Sequence, residues 1–486
     1  MTARIARPLV LLAGALTLVG APVLGQADRS GPPEPGPPRP LNLPPIERHT
    51  LSNGLPVLIV GMHEVPVVEV VLVLEAGATA DPAGREGLAH VTAEMLDEGA
   101  GGRDALALAD AVDFLGARVE TDSDWDASTV RLRVPVARLA DALPLMSDVA
   151  LRPDFPAPEL ERLRREALTR LLQARDQPGS IAARALDEAV FTRQSRLGRP
   201  QTGDAASLAA LTVDEVRAFH RARYSPAHAT LVVVGDVTAE VVSALEGAFG
   251  GWTAPEGSPS TPTPSAPDQV EGRSVWLVDK PGAAQSTIRL GRVGPSWDDP
   301  RYHASEVMNT LLGGSFTSRL NDNLREQHGY TYGAGSALRR YRSTGLFLAG
   351  ADVQTDKTAE SVSEFLEELE RIQVPASPEE VERARSYAAL GYAREFETTS
   401  QVARRIVEKV VYGLPDGFFE DYVPRTLAVD AAALQAAAAT IVDPNRIALV
   451  VVGDRSKVEA PLRALDLGPV DVLTVEDVMG PAPAIE

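Results

Sequence analysis

The sequence predicts an α+β protein of two homologous domains, each a mostly antiparallel sheet with helices packed on one face, closing on each other as a clamshell. Three observations predict it. Landmarks recur at one constant separation, strand-like and helix-like runs follow the same order in both halves, and a Pro- and Ser-rich stretch divides them. The recurrence is clearest where Tyr224-Ser-Pro226 leads through a β-branched run to Gly235-Asp236, and Asp443-Pro444 leads through a similar run to Gly453-Asp454. Pro226 and Pro444, Gly235 and Gly453, and Asp236 and Asp454 are each 218 residues apart. The same offset carries Thr212, a helix N-cap with Glu215 three positions on, to Asp430, and the strand Val57 to Val60 to Val275 to Val278.

Taken along the chain, residues 1–26 have the layout of a signal peptide: Arg4 and Arg7 precede an apolar run from Pro8 to Leu24 that ends in small residues. Residues 27–45 are dominated by Pro and Gly and read as an extended spacer. The first domain is expected over 46–252, a linker over 253–272, the second domain over 273–475 and a tail over 476–486. Each domain opens with two strand runs (LPVLIV then VVEVVLVL; VWLVD then STIRLGRV), read as a pair, and continues through a helix and further strands to long helices. Pro158 to Ala174 and Pro378 to Tyr392 both start with Pro and acids in the first turn, as helix N-termini favour.

Composition removes several function classes. The chain has no Cys, which excludes disulfides, thiolate catalysis and Cys-based zinc sites. Its net charge of −20 disfavours nucleic acid, whose binding rests on clustered Lys and Arg. With 44% apolar residues and no spanning run in the body, no stable membrane insertion is expected, and the signal-peptide layout of residues 1–26 adds the expectation of an exported, periplasmic or secreted protein. No phosphate-binding loop, nucleophile elbow or dinucleotide fingerprint is present.

The chemistry-bearing stretch of the first half is Gly87-Leu88-Ala89-His90-Val91-Thr92-Ala93-Glu94, followed by a small-residue loop. It resembles the inverted zinc motif His-x-x-Glu-His of the insulinase/pitrilysin zinc metallopeptidases, and the resemblance extends over the two-domain layout. In that motif two His on one helix face bind zinc and the Glu between them acts as base on the metal-bound water. Here His90 fills the first position, Ala93 stands where the base belongs and Glu94 replaces the second His. The resemblance puts the third ligand near Thr169 or Arg170, neither a carboxylate, with Glu166 the nearest acid a turn away. The seven His include no pair three or four apart, so no helical His pair exists to hold zinc. The reading is that this chain binds no metal and that His90 and Glu94 are solvated or hydrogen-bonded neighbours on a helix face.

The second half carries Gly313-Gly314-Ser315-Phe316 and then Arg325, Gly329, Tyr330 and Tyr332. This segment resembles the family segment whose Arg and Tyr, seven residues apart, contact substrate, and Arg325 and Tyr332 have that separation. The resemblance implies that these two stabilise the oxyanion formed in peptide hydrolysis, with Tyr330 beside them. Gly313, Gly314 and Ser315 either let a peptide approach the backbone or simply make the turn. The implied function is that of the zinc-less subunit of a heteromeric peptidase, which binds peptide or unfolded polypeptide while a partner subunit brings the zinc. A non-catalytic scaffold and a peptide-binding, chaperone-like module of the same fold are the alternatives.

Overall fold

The computed structural model describes residue 36 and residues 41–254 and 267–484. The expected signal peptide, most of the spacer and the centre of the linker lie outside the described residues. Among the described residues no helix is long and apolar enough to cross a membrane.

The first half contributes β1 (Glu47–Thr50), β2 (Pro56–Gly61), β3 (Val67–Leu74), the two-residue pair β4 (Gly99–Ala100) and β5 (Arg103–Asp104), β6 (Arg118–Ser123), β7 (Ser128–Pro135) and β8 (Ala229–Gly235). The second contributes β9 (Ser274–Asp279), β10 (Gln285–Gly294), β11 (Thr331–Arg340), β12 (Gly345–Gln354), β13 (Ala448–Gly453) and β14 (Val470–Leu473). Apart from β4 and β5, which pair with each other, they form two six-stranded sheets, ordered β1-β2-β8-β3-β7-β6 and β11-β12-β10-β13-β9-β14. Most neighbours are antiparallel, as expected. The opening runs of each half are not paired with each other, however. β8 inserts between β2 and β3, parallel to one and antiparallel to the other, and β13 inserts likewise between β9 and β10. The inserted runs, ATLVVVG and ALVVVG, are apolar on both faces and so belong at the centre of a sheet rather than at its edge.

Both faces of each sheet are buried, and strand alternation assigns successive residues to different cores. Val57, Ile59, Val68, Val70 and Leu72 face helices of their own half, including Leu88–Glu94 and Ala157–Ala174. Leu58, Val60, Val71, Val73, Val232 and Val234 face the other way, onto Val402, Ala403 and Ile406 of the helix Thr399–Tyr412, which belongs to the second half. The second sheet mirrors this. Its Val278, Leu346, Ala448, Val450 and Val452 lie against Ile181, Ala182, Ala185 and Leu186 of the helix Pro178–Phe191, which belongs to the first half. The halves therefore exchange one helix each, and both helices present a stripe containing Ala, which lets helix and sheet approach closely. A Cβ on Gly291 in β10 would lie 3.1 Å from the Leu186 methyls, so the strand too is trimmed for the guest helix.

Polar contacts reinforce the exchange. Ser400 Oγ of the visiting helix donates to Glu69 Oε2 at 2.5 Å, a buried carboxylate also paired with Arg131. Part of the expected tail is folded: Val475–Met479 is a helix set against Pro178–Phe191, with Val478 buried. Each fully buried Val, Leu or Ile contributes about 1.5 to 3 kcal/mol, so separating the halves would expose far more apolar surface than a marginally stable domain tolerates.

The segment that carries Arg325 is held from beneath. Buried Arg319 makes a two-pronged ion pair with Glu380, at 2.8 and 2.9 Å, in the first turn of the helix Pro378–Gly391. Glu380 also closes a capping box with Ser377. The Arg319 hydrogen bond, outweighing burial, holds the Glu380 carboxyl down at about 2.

Two outcomes are expected. Proteolytic cutting within residues 255–266 should leave both fragments in one folded particle on size-exclusion chromatography; fragments that separate as folded monomers would contradict the exchange. For Glu380, whose pKa falls on folding, the stabilisation is fully present above pH about 4.5 and lost as pH drops towards about 2. Chemical unfolding across that window should show E380Q lacking a contribution of about 1 to 2 kcal/mol, after allowance for solvent screening.

Candidate functional site

The helix Leu88–Glu94, which bears the broken motif, is short and positioned by a buried ion pair. Asp81 accepts hydrogen bonds from the backbone N–H of Gly87 (2.8 Å) and Ala89 (2.7 Å), satisfying amides at the helix start. Arg196 Nη2 donates to the same carboxylate at 2.8 Å, and both side chains are almost wholly buried. The remaining Arg196 donors reach the backbone oxygens of Ala78, Arg199, Pro200 and Gln201, and its guanidinium lies 5.1 Å from the Trp125 ring centre. Gly87 has φ +92, and a Cβ there would stand 2.5 Å from Thr202 O, so only glycine lets the loop close over the helix start. Nothing local in the sequence marks Asp81 and Arg196 as partners, since 115 residues separate them.

On the outer face of this helix, His90 Nε2 stands 3.4 Å from Glu94 Oε1. Arg170 reaches in from the helix Ala157–Ala174 and places Nη2 3.1 Å from the same oxygen. Burial, the largest influence on the Glu94 carboxyl, raises its pKa, but His90 and Arg170 together outweigh it and the carboxyl is held below its ordinary range. Close by, burial pushes Asp97 up to about 6, with Glu98 and Glu94 adding to the effect. Glu98 is engaged by Arg162, which also binds Glu159 and Glu166.

These residues do not fit zinc. A tetrahedral site needs three or four His or carboxylate ligands; here one imidazole, one carboxylate and a guanidinium converge, and Ala93 offers no base. Among the described residues no group of three or more His, Asp or Glu is arranged to hold a metal ion. Glu166, the nearest acid to the expected third-ligand position, is turned to Arg162 at 2.8 Å.

The second-half residues are differently disposed. Arg325 lies in a π-helical turn, Asp322–Gln327, and its guanidinium sits 4.5 Å from the centre of the Phe316 ring. Such turns are rare and occur often at functional sites. Gly329, at φ +66, reverses the chain into β11, an edge strand, and the register of β11 on β12 shifts between Thr331 and Ala334. Tyr332 falls in that irregularity and is 93% exposed; Phe316 is 65% exposed. Among the described residues no hydrogen bond or ring contact joins Arg325 to Tyr332, and none joins this group to His90 or Glu94.

The other nominated residues serve the same segment. A Cβ on Gly313 would lie 2.2 Å from Ser336 N, so glycine is needed there for the loop to seat against β11, and one on Gly314 would lie 2.8 Å from Asn309 Nδ2 of the preceding helix. Ser315 Oγ donates to Thr310 O at 3.1 Å, closing the preceding helix. Tyr330 stacks on His328 with ring centres 4.9 Å apart. Asn321 Oδ1 accepts from Ala334 N–H at 3.2 Å, covering the middle of the strand edge. Phe316, which sequence reasoning passed over, also lines a cavity of about 600 Å³ with Arg319, Glu326, Glu380 and Arg383.

Comparison with known proteins bears on the family and the fold. The family model for insulinase (peptidase family M16) matches residues 57–204, and that for the peptidase M16 inactive domain matches residues 210–387. A protein of Rickettsia bellii named an uncharacterized zinc protease is 27% identical over 338 residues, 69% of this chain and 80% of that one. One of the same description from Bacillus subtilis is 23% identical over 372 residues, 76% and 89% of the two chains. Among solved structures, a peptidase M16 inactive domain from Pseudomonas fluorescens superposes with a TM-score of 0.77 at 24% identity, covering 84% of this chain and 98% of its own. A protease from Helicobacter pylori gives 0.76 at 20% identity, covering 84% and 100%. With the motif helix, the repeated sheets and these matches in agreement, the chain belongs to the insulinase family, peptidase family M16.

Proposed function

We propose that this chain is a non-zinc subunit that binds and orients peptide substrate for a zinc-bearing relative. The observation that carries the reading is an asymmetry. In the first half His90, Glu94 and Arg170 close on one another, whereas in the second an exposed phenol, Tyr332, and a half-buried guanidinium, Arg325, held over Phe316, lie on the turn into β11. The relatives' name, zinc protease, supports peptides as the substrate class.

In this reading Arg325 and Tyr332 act across an intermolecular interface, since this chain's own motif helix has Ala93 in place of the base and Glu94 in place of the second His. The partner supplies the activated water. Hydrolysis builds negative charge on the carbonyl oxygen of the scissile bond, and a fixed guanidinium and phenol donate hydrogen bonds to such oxygens. Phe316 beneath Arg325 limits the guanidinium's motion, so less ordering remains to be done at binding. The apolar run near the N-terminus supports export, placing the substrates outside the cytoplasm.

Purified chain alone should contain no zinc and leave a quenched fluorogenic peptide mixture intact; addition of a relative with an intact His-x-x-Glu-His motif should produce cleavage. R325A or Y332F should then lower kcat/KM on the order of 10²-fold. Cleavage by the lone chain, or full activity of both variants in the mixture, would overturn the proposal.

A further inference from the structure

The cavity of about 600 Å³ beside Phe316 is lined by both signs of charge. Asp322 and Glu326 come to it from the π-helical turn, and Arg371 and Arg383 from the helices Thr358–Arg371 and Pro378–Gly391. The buried Arg319 and Glu380, also in the lining, neutralise each other. The remaining acids are engaged: Asp322 Oδ2 accepts from Gln327 Nε2 at 2.8 Å, and Glu326 Oε1 lies 3.5 Å from Arg325 Nε. The bases have donors to spare. Arg371 Nη1 donates to Glu368 at 3.2 Å, but its Nη2 stands 4.0 Å from Glu380, whose two oxygens Arg319 already holds. Among the described residues no hydrogen bond or ion pair engages Arg383.

We infer that this cavity is a side-chain subsite beside the peptide site and that it takes a peptide carboxylate, with Arg383 as its principal anchor and Arg371 beside it. The inference rests on the reading that peptide meets this chain at Arg325 and Tyr332. Arg325 lies over the Phe316 ring at 4.5 Å, yet Phe316 stays 65% exposed, so it offers apolar surface to the stem of an entering side chain. A guanidinium with no partner of its own receives a carboxylate through two parallel hydrogen bonds, and in a cavity that pair is screened less than on open surface. A carboxylate approaching Arg325 instead would meet Glu326, so the anchor is Arg383 and Arg325 is left for the peptide carbonyl. A Lys or Arg side chain would face Arg383 unopposed. Glu or Asp within the peptide and the peptide's own C-terminus supply the same chemistry.

The test is fluorescence anisotropy of the purified chain with short, dye-labelled, alanine-rich peptides. Three are C-terminally amidated and carry one central Glu, Gln or Lys; a fourth carries Gln and a free C-terminal carboxylate. The Glu peptide, the free-carboxylate peptide or both should bind more tightly than amidated Gln, on the order of tenfold, and the Lys peptide no better than Gln. A gain by the first marks an acidic side chain as the ligand; a gain by the second marks the chain end. R383A should bring the gain close to one, and R383E should make the Lys peptide the preferred one. Both variants should melt as wild type does, since Arg383 holds no other group. R325A should weaken Glu and Gln peptides alike and leave their ratio unchanged. If the lone chain binds none of the peptides, the same ratios are read as kcat/KM in the assembly with a zinc-bearing relative. Binding without a carboxylate gain, or a gain that survives R383E, overturns this inference alone; no binding and no cleavage of any peptide overturns it together with the substrate reading.

Discussion

The exchange of one helix between the halves is the constraint on which the rest of the molecule depends. Without Thr399–Tyr412, the face of the first sheet bearing Val60, Val71 and Val232 would be open to water; without Pro178–Phe191, so would the face bearing Val278 and Val450. Each half can bury only one side of its sheet with its own helices. The exchange turns two half-covered sheets into four buried faces and ties the halves together far more firmly than a chain of Pro and Ser between them would. It also fixes where the two chemistry-bearing regions lie, since both are built on the opposite faces, among helices that each half keeps for itself.

Those two regions use the same architecture to different ends. In both, a helix following the second long strand of the sheet packs against a later long helix. In the first half the contact is polar and closed on itself: His90, Glu94 and Arg170 satisfy one another. At the matching place in the second half the contacts are apolar, through Val307, Met308 and Leu311, and the polar groups have moved to the turn that follows. There Arg319 and Glu380 form the support, Tyr332 is exposed, and among the described residues Arg325 has Glu326 as its one ionic partner, at 3.5 Å. An exposed phenol and a half-buried guanidinium on an anchored turn suit a ligand supplied from outside.

Much of this was legible in the sequence because it rests on local pattern. The constant offset exposed the repeat, since buried strands of β-branched residues ending in Gly-Asp leave a strong signature, and the caps at Thr212 and Asp430 formed where expected. Of Thr169 and Arg170, the two residues the resemblance puts near the third-ligand position, Arg170 reaches the motif helix. What escaped was long-range. The insertion of β8 and β13 into the centres of the sheets depends on pairing between distant strands, and an amphipathic helix such as Thr399–Tyr412 carries nothing that says which half it will cover. The pairing of Asp81 with Arg196, and the use of Phe316 as a platform for Arg325, likewise depend on residues brought together only by the fold.

The central claim is that substrate meets this chain at the turn leading into β11 and not at the motif helix. The most direct measurement is photocrosslinking of a peptide carrying a photoreactive side chain to the chain assembled with a zinc-bearing relative, with the attachment points located by mass spectrometry. The account predicts labelling within the segment from Phe316 to Tyr332 and none on Leu88–Glu94 or around Arg170. Labelling concentrated at His90 and Glu94, with the Phe316 to Tyr332 segment unmarked, would contradict it.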